Sequence, residues 1–235
     1  MSTKETARNR GQKGFTLIEL LVCLAIFMVI TGIVLYNYGD FNDDLIVSNL
    51  AYEVALEVRT AQVYGLSVLG TKDATTNQDN FDSGYGVHFD YDPNNTANDQ
   101  TFYLFVDTFG TGKLQNSADD ATFNGTCMGP TASPNPGECL EAVKLQGTNH
   151  IQMVCTVSDD SQSCDNTTGG NASYPATLDI TFKRPNPDAN VDMVELPASG
   201  TQQPQYKNAK IYIASGNDKT LKVITVDQSG QISVQ

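Results

Sequence analysis

A chain of 235 residues with 40% hydrophobic side chains is long enough for one globular domain plus an extended element, with no obvious room for two domains. Its 14 basic residues against 27 acidic ones give a net charge of −13, yet the first fourteen residues invert that sign, with Lys4, Arg8, Arg10 and Lys13 facing Glu5 alone. From Phe15 onward the balance is 10 basic to 26 acidic, and a body of net charge −16 repels nucleic acid and anionic lipid unless a local basic patch overrides it.

The first predicted element is Phe15–Tyr38, FTLIELLVCLAIFMVITGIVLYNY, in which Glu19 is the single ionisable side chain apart from Cys23 and the two tyrosines. As a helix these 24 residues span roughly 36 Å, enough to cross the hydrocarbon core with some tilt. Tyr36 and Tyr38 fall where an interfacial aromatic belt belongs, and the basic flank before the span predicts a cytoplasmic N-terminus. A secretory signal predicts a shorter apolar core followed by a small-residue cleavage site, and this core runs unbroken to Tyr36. A carboxylate at bilayer depth costs roughly 2.5–3.5 kcal/mol and calls for a cationic partner. No Lys or Arg lies between Phe15 and Asp40. Cleavage after Gly14 would create one, a free amine on Phe15, about one helical turn from Glu19 in the same chain and available to Glu19 of a neighbour.

The run Lys13-Gly14-Phe15-Thr16-Leu17-Ile18-Glu19-Leu20-Leu21-Val22 resembles the processing motif of the type IV prepilin and pseudopilin superfamily. The resemblance implies a prepilin peptidase that cuts after Gly14, N-methylation of Phe15, and a role for Glu19 in docking into a growing filament. Many major pilins carry a helix-bending proline just past the middle of this helix; Tyr36 stands near that place here.

Beyond the span, Val47, Leu50, Ala51, Val54, Val58 and Ala61 recur at three- and four-residue steps and predict one buried helical stripe, with Asp43, Asp44, Glu53, Glu57 and Arg59 mostly off it. Gly39-Asp40 with Asn42 reads as a weak joint, and the helix is expected to end near Leu69-Gly70. Short alternating segments then predict strands at Tyr85–Tyr91, Thr101–Asp107, Leu140–Gln146, His150–Val157, Thr177–Lys183, Lys210–Ala214, Leu221–Val226 and Gln231–Val234. The last two form a hairpin turning at Ser229-Gly230. Asn116–Glu138, rich in Gly, Pro, Ser and Asn, reads as one long loop.

Four cysteines, Cys127, Cys139, Cys155 and Cys164, allow three disulfide connectivities. Nearest-neighbour bonds, Cys127–Cys139 and Cys155–Cys164, are the expectation in an oxidising compartment. Zinc is the competitor, without CxxC pairs and with only His88 and His150 to help. His88 and His150 sit in strand-like segments, no GxSxG or HExxH occurs, and a histidine satisfied within a strand outweighs a catalytic base. Asp107–Gly112 followed by Asp119-Asp120 faintly matches an acidic calcium turn, but Phe109 occupies a ligand place. Lys183, Arg184, Lys207, Lys210, Lys219 and Lys222 gather in the C-terminal third beside Asp188, Asp192, Glu195, Asp218 and Asp227, and the terminus GQISVQ adds no cation. A solvated strand face is favoured over a nucleic-acid grip.

The sequence therefore predicts an α+β chain: a long N-terminal helix, transmembrane then amphipathic, followed by an antiparallel β-sheet or β-sandwich domain. The expected divisions are a leader at 1–14, a membrane and filament-core helix at 15–38, an amphipathic helix at 39–70 and an extracytoplasmic β domain at 71–235. GYGVHFD after the helix, ITFKRPNPDA and the closing hairpin further resemble H-type minor pseudopilins and FimT-like minor pilins. That resemblance implies a non-enzymatic minor subunit of a type II secretion pseudopilus, or alternatively a minor pilin acting in adhesion, motility or DNA uptake. It would need no cofactor. Its partners would be membrane lipid, the prepilin peptidase, the inner-membrane assembly platform and other pilins or pseudopilins. It would be a single-pass protein of the cytoplasmic (inner) membrane with its C-terminal domain in the periplasm.

Overall fold

The computed structural model describes residues 14–67, 70–72, 79–91, 99–115, 123, 125–130, 137–158, 162–164, 176–195 and 206–235. The leader before Gly14, Asp119-Asp120 and much of the expected 116–138 loop lie outside the described residues. Two compact units are present, one ending at Asn42 and the other comprising Asp43–Gln235.

Helix α1 is Leu17–Leu66. Gly39 is helical: a single glycine costs about 1 kcal/mol against alanine, too little to break so long a run. The last turn closes with Ser67 N–H donating to the Val63 carbonyl at 3.0 Å and Ser67 Oγ donating to the Tyr64 carbonyl at 2.9 Å, short of the Leu69-Gly70 end expected from sequence.

The strands of the second unit are β1 (Thr71–Lys72), β2 (Asp79–Asn80), β3 (Gly84–Tyr91), β4 (Thr101–Asp107), β5 (Cys139–Lys144), β6 (His150–Val157), β7 (Gln162–Cys164), β8 (Ala176–Phe182), β9 (Ala189–Glu195), β10 (Asn208–Ala214), β11 (Leu221–Asp227) and β12 (Ile232–Val234). All pairings are antiparallel. One five-stranded sheet runs β5-β4-β3-β8-β9, a second runs β12-β11-β10-β6-β7, and β1 pairs with β2. The molecule is thus α+β, as the sequence predicts. β1, β2, β7 and β9 go beyond the predicted set. β9 is masked in sequence by the turn-forming RPNPDA before it and by Asp192 and Glu195 within it; β7 is only three residues long.

One core gathers the helical stripe and the inner faces of both sheets. Val47, Leu50, Ala51, Val54, Val58 and Ala61 are all buried against Val87, Phe89, Phe102, Leu178, Ile211 and Ile224, among others. Phe89 and Phe102 lie opposite in register and stack with centroids 5.6 Å apart. A bulge where β10 meets β6 between Tyr212 and Ile213 sets Ile213 opposite Ile151 and Ile211 opposite Val154, which lets two residues three apart both face the core. Gly65 on α1 touches β8 closely: a Cβ there would lie 2.3 Å from the Phe182 carbonyl oxygen, so the packing requires glycine. Nearby, Gln62 Nε2 donates to the carbonyls of Pro187 (3.2 Å) and Gly230 (3.0 Å), tying the helix to the β11–β12 turn, where Gly230 adopts φ +81°.

The first sheet is covered on its other face as well. Alternate residues Tyr103 and Phe105 of β4 join Leu114, Cys139 and the half-buried Phe123 in a second cluster. The Thr108–Gln115 segment forms part of that cover.

Candidate functional site

The site with the clearest chemistry is the start of α1. Leu20 N–H donates to the Thr16 carbonyl at 3.2 Å, opening the helix. Glu19 N–H donates to Thr16 Oγ1 at 3.3 Å, while the Thr16 N–H and hydroxyl each donate to Glu19 Oε2 at 2.9 Å. This is a reciprocal capping box, in which the N-cap threonine and the N3 glutamate satisfy each other's orphan groups. The pattern Thr-x-x-Glu before an apolar run was available in the sequence, and its significance as a cap is a structural addition to the reading of Glu19. Gly14 stands just outside the helix, and a Cβ added there would meet nothing within 4 Å. The fold itself does not demand glycine at 14.

Behind the cap the described part of the first unit presents mostly exposed apolar surface. Its large hydrophobic side chains range from 49% exposed at Val22 and Leu24 to 89% at Phe15, and no part of the membrane-length window is buried. Soluble monomers rarely show contiguous apolar patches beyond a few hundred Å². A helix of this length and composition passes the test for a membrane span. Cys23 adds an exposed free thiol within the same run.

The second unit offers weaker candidates. The four cysteines form two bonds, Cys127–Cys139 and Cys155–Cys164, the latter joining residues directly opposite on β6 and β7, so their sulfurs are not free to ligate zinc. Asp107 closes its own turn: its Oδ1 accepts from Thr111 N–H at 2.8 Å and its Oδ2 from Gly112 N–H at 3.0 Å. Among the described residues no group of three or more His, Cys, Asp or Glu is arranged to hold a metal. Several cations are matched locally, Lys113 with Asp192 (3.0 Å), Lys183 with Asp82 (3.2 Å) and Lys222 with Asp44 (3.5 Å). Lys210 donates to Gln162 Oε1 at 3.1 Å. Lys207 lies before β10, so it and Lys210 do not share a strand.

Sequence reasoning placed His88 as a satisfied strand histidine without naming its partner, and passed over one buried acid. His88 on β3 faces Asp179 on β8 in register, with Nδ1 2.7 Å from Oδ1; Leu114 N–H also donates to that oxygen at 3.2 Å. Burial lowers the His88 pKa, but the charge and hydrogen bond of Asp179, with Asp90, outweigh it and hold the value raised. Tyr103 and Phe123 enclose the ring, so the pair is a core element without access to substrate. Glu138 is fully buried, and its carboxylate accepts from Phe109 N–H (2.9 Å), Gln115 N–H (2.9 Å) and the Thr108 hydroxyl (3.4 Å). Burial, with the nearby Asp107 charge, raises its pKa to about 7 against the pull of those donors. Glu138 thereby pins the Thr108–Gln115 cover to the sheet edge. His150 pairs with exposed Asp218 at 3.2 Å.

No curated protein and no solved structure matches the chain. Residues 9–35 match the family described as the prokaryotic N-terminal methylation motif, a segment that holds Gly14, Phe15, Glu19 and the apolar run as far as Leu35. That motif marks structural subunits, and it implies peptidase processing, assembly with other pilins and anchoring in a membrane. The chain thus carries a prokaryotic N-terminal methylation motif at the head of an exposed apolar helix, consistent with the type IV prepilin and pseudopilin superfamily.

Proposed function

We propose that this protein is a minor subunit of a type II secretion pseudopilus, of the H-type and FimT-like branch. It is stored in the cytoplasmic membrane with its N-terminus inside and its β unit outside. The observation that carries the reading is the capped N-terminal part of α1, a membrane-length apolar stretch with no buried residue and with Glu19 at its head. A peptidase cuts after Gly14, and the new amine on Phe15 is methylated. That amine is one residue from the Thr16 N–H that Glu19 already accepts, so it supplies the missing cation within the chain or to Glu19 of a neighbour. An assembly ATPase and platform protein then lift the subunit from the bilayer, and the apolar helix exchanges lipid contacts for contacts with sister helices. The disulfide-bonded β unit faces outward toward other minor subunits or cargo.

A minor pilin of a type IV pilus would use the same helix and cap. Crosslinking in the cells that make the protein, followed by identification of the attached subunits, separates the two. Secretion pseudopilins support the first reading and pilus subunits the second. Recovery of the protein as an uncut monomer contradicts both.

A further inference from the structure

The second unit carries a polar groove that the filament reading does not use. It lies at the end of that unit away from Asp43. Gln62, roughly 28 Å further along α1, bonds there to the carbonyls of Pro187 and Gly230. The groove measures about 450 Å³, a size that holds a small ligand, and a second hollow of about 430 Å³ shares Asp188 and Gln228 with it. One wall is the Thr108–Gln115 cover, which passes through Gly110 at φ +74° and Gly112 at φ +75° and so lines the groove with backbone. That wall is fixed from behind: Asp107 accepts from Thr111 and Gly112, and Glu138 accepts from Phe109 and Gln115. The facing wall is the turn from β8 into β9, with Asn186, Asp188 and Asn190, joined by Gln228 just after β11. All four of these side chains are exposed.

The lining selects a ligand class. Among the described residues no large apolar side chain lines the groove, so an apolar ligand gains little there. An anion meets Asp188 and finds Lys183 already matched by Asp82 at 3.2 Å. An extended peptide needs an open strand edge, and here that edge is closed: Ala189 N–H at the start of β9 already donates to the Gln228 carbonyl at 2.8 Å. A neutral ligand dense in hydroxyls fits what remains. Carboxamides both donate and accept, and the two oxygens of Asp188 can accept from neighbouring hydroxyls together. Two aromatic rings stand close to the Gly84 side of the groove, Tyr64 at 37% and Phe81 at 49% exposure. Tyr64 packs edge-on to Tyr85, which follows Gly84, and Phe81 precedes Asp82, the partner of Lys183. Such rings offer apolar cover for the C–H side of a sugar ring. We propose that this groove binds a neutral sugar chain, with Asn186, Asp188, Asn190 and Gln228 holding its hydroxyls. A wall fixed before binding lowers the ordering cost. The site goes beyond the filament reading and is the same whether the filament serves secretion or a pilus.

The test uses the full chain in a detergent without a sugar headgroup, titrated with linear tetrasaccharides of glucose, galactose, mannose and N-acetylglucosamine. The side-chain amide NMR signals of Asn186, Asn190 and Gln228 should shift saturably with at least one of them. Asn186→Ala and Asp188→Ala should each weaken that binding about tenfold or more, the loss of a hydrogen bond or a charged acceptor. Glu141→Ala, on the opposite edge strand β5, should leave it unchanged. Both turn residues are exposed, so their variants should melt with the wild type; Gln228→Ala gives an independent reading if either melts early. No shift with any sugar of the set overturns the proposal, as does binding that survives in the folded variants. A peptide that moves these amides where no sugar does also overturns it. An uncut chain that binds sugar sustains this site while contradicting the filament reading.

Discussion

The Glu19 carboxylate is held by Thr16, whose N–H and hydroxyl each donate to the same oxygen at 2.9 Å. The acid is thus fixed beside the residue that would follow a new N-terminus at Phe15. A free α-amine there, with an ordinary pKa near 7.7–8.0, would be mostly cationic at neutral pH.

We predict that Glu19→Ala is cut as efficiently as the wild type, or nearly so, yet fails to enter filaments. The cut lies outside the helix, whereas docking needs the charge. Fractionation of sheared filaments against membranes checks this; assembly of Glu19→Ala at the wild-type level refutes the docking role. Thr16→Ala should loosen the helix start by about 1 kcal/mol, the usual cost of losing an N-cap.

The β unit should lose stability as pH rises from about 5 to 8. Glu138 has a folded pKa of about 7 against an ordinary 4.5, and His88 is also raised. For each group the folded state binds the proton more tightly than the unfolded chain. The contribution is complete below the unfolded pKa and lost as pH climbs through the folded one. Glu138 alone accounts for roughly 3 kcal/mol across that window. Thermal melts of wild type and Glu138→Gln should show the variant less stable at pH 5 with a shallower pH slope. Parallel slopes would remove Glu138 from the account.

Much of this architecture was legible because it depends on spacing along one element. The six-residue stripe from Val47 to Ala61 needed only the helical period, and all six side chains are buried. The strands at Thr101–Asp107 and His150–Val157 match residue for residue, since alternation marks them without help from partners. What was not legible depends on register between distant segments. His88 meets Asp179 across 91 positions, and nothing local in GVHFD or LDITF announces the pair. Glu138 looks like a loop acid until the Thr108–Gln115 segment folds over it. Nothing local to Gly65 announces that β8 comes against it.

Loss of either disulfide should destabilise the β unit by about 2–4 kcal/mol. Cys139 lies in the cluster under the cover, and Cys155 is also fully buried, so serine at either site adds the cost of a buried hydroxyl. Non-reducing peptide mapping should recover Cys127–Cys139 and Cys155–Cys164. A Cys127–Cys155 link, or free thiols throughout, refutes the pairing.

The soluble portion should bind DNA no better than about micromolar at physiological salt. From Asp40 onward 25 acids face 10 bases, and Lys183 and Lys222 already have carboxylate neighbours. Counterion release needs several cations pointing the same way. Nanomolar binding that weakens steeply with salt, and that Lys183→Ala with Arg184→Ala abolishes, would instead favour the DNA-uptake reading.

The central claim is that the chain is processed at Gly14 into a filament subunit, and the intact mass of the protein recovered from its own cells tests it most directly. The wild-type chain should begin at Phe15 and carry one added methyl group, while Gly14→Ala should remain largely uncut and membrane-held. The folded chain leaves room for a side chain at 14, so a processing defect in that variant would point to the peptidase and not to misfolding. A mature wild-type chain that still begins at Met1 would contradict the account.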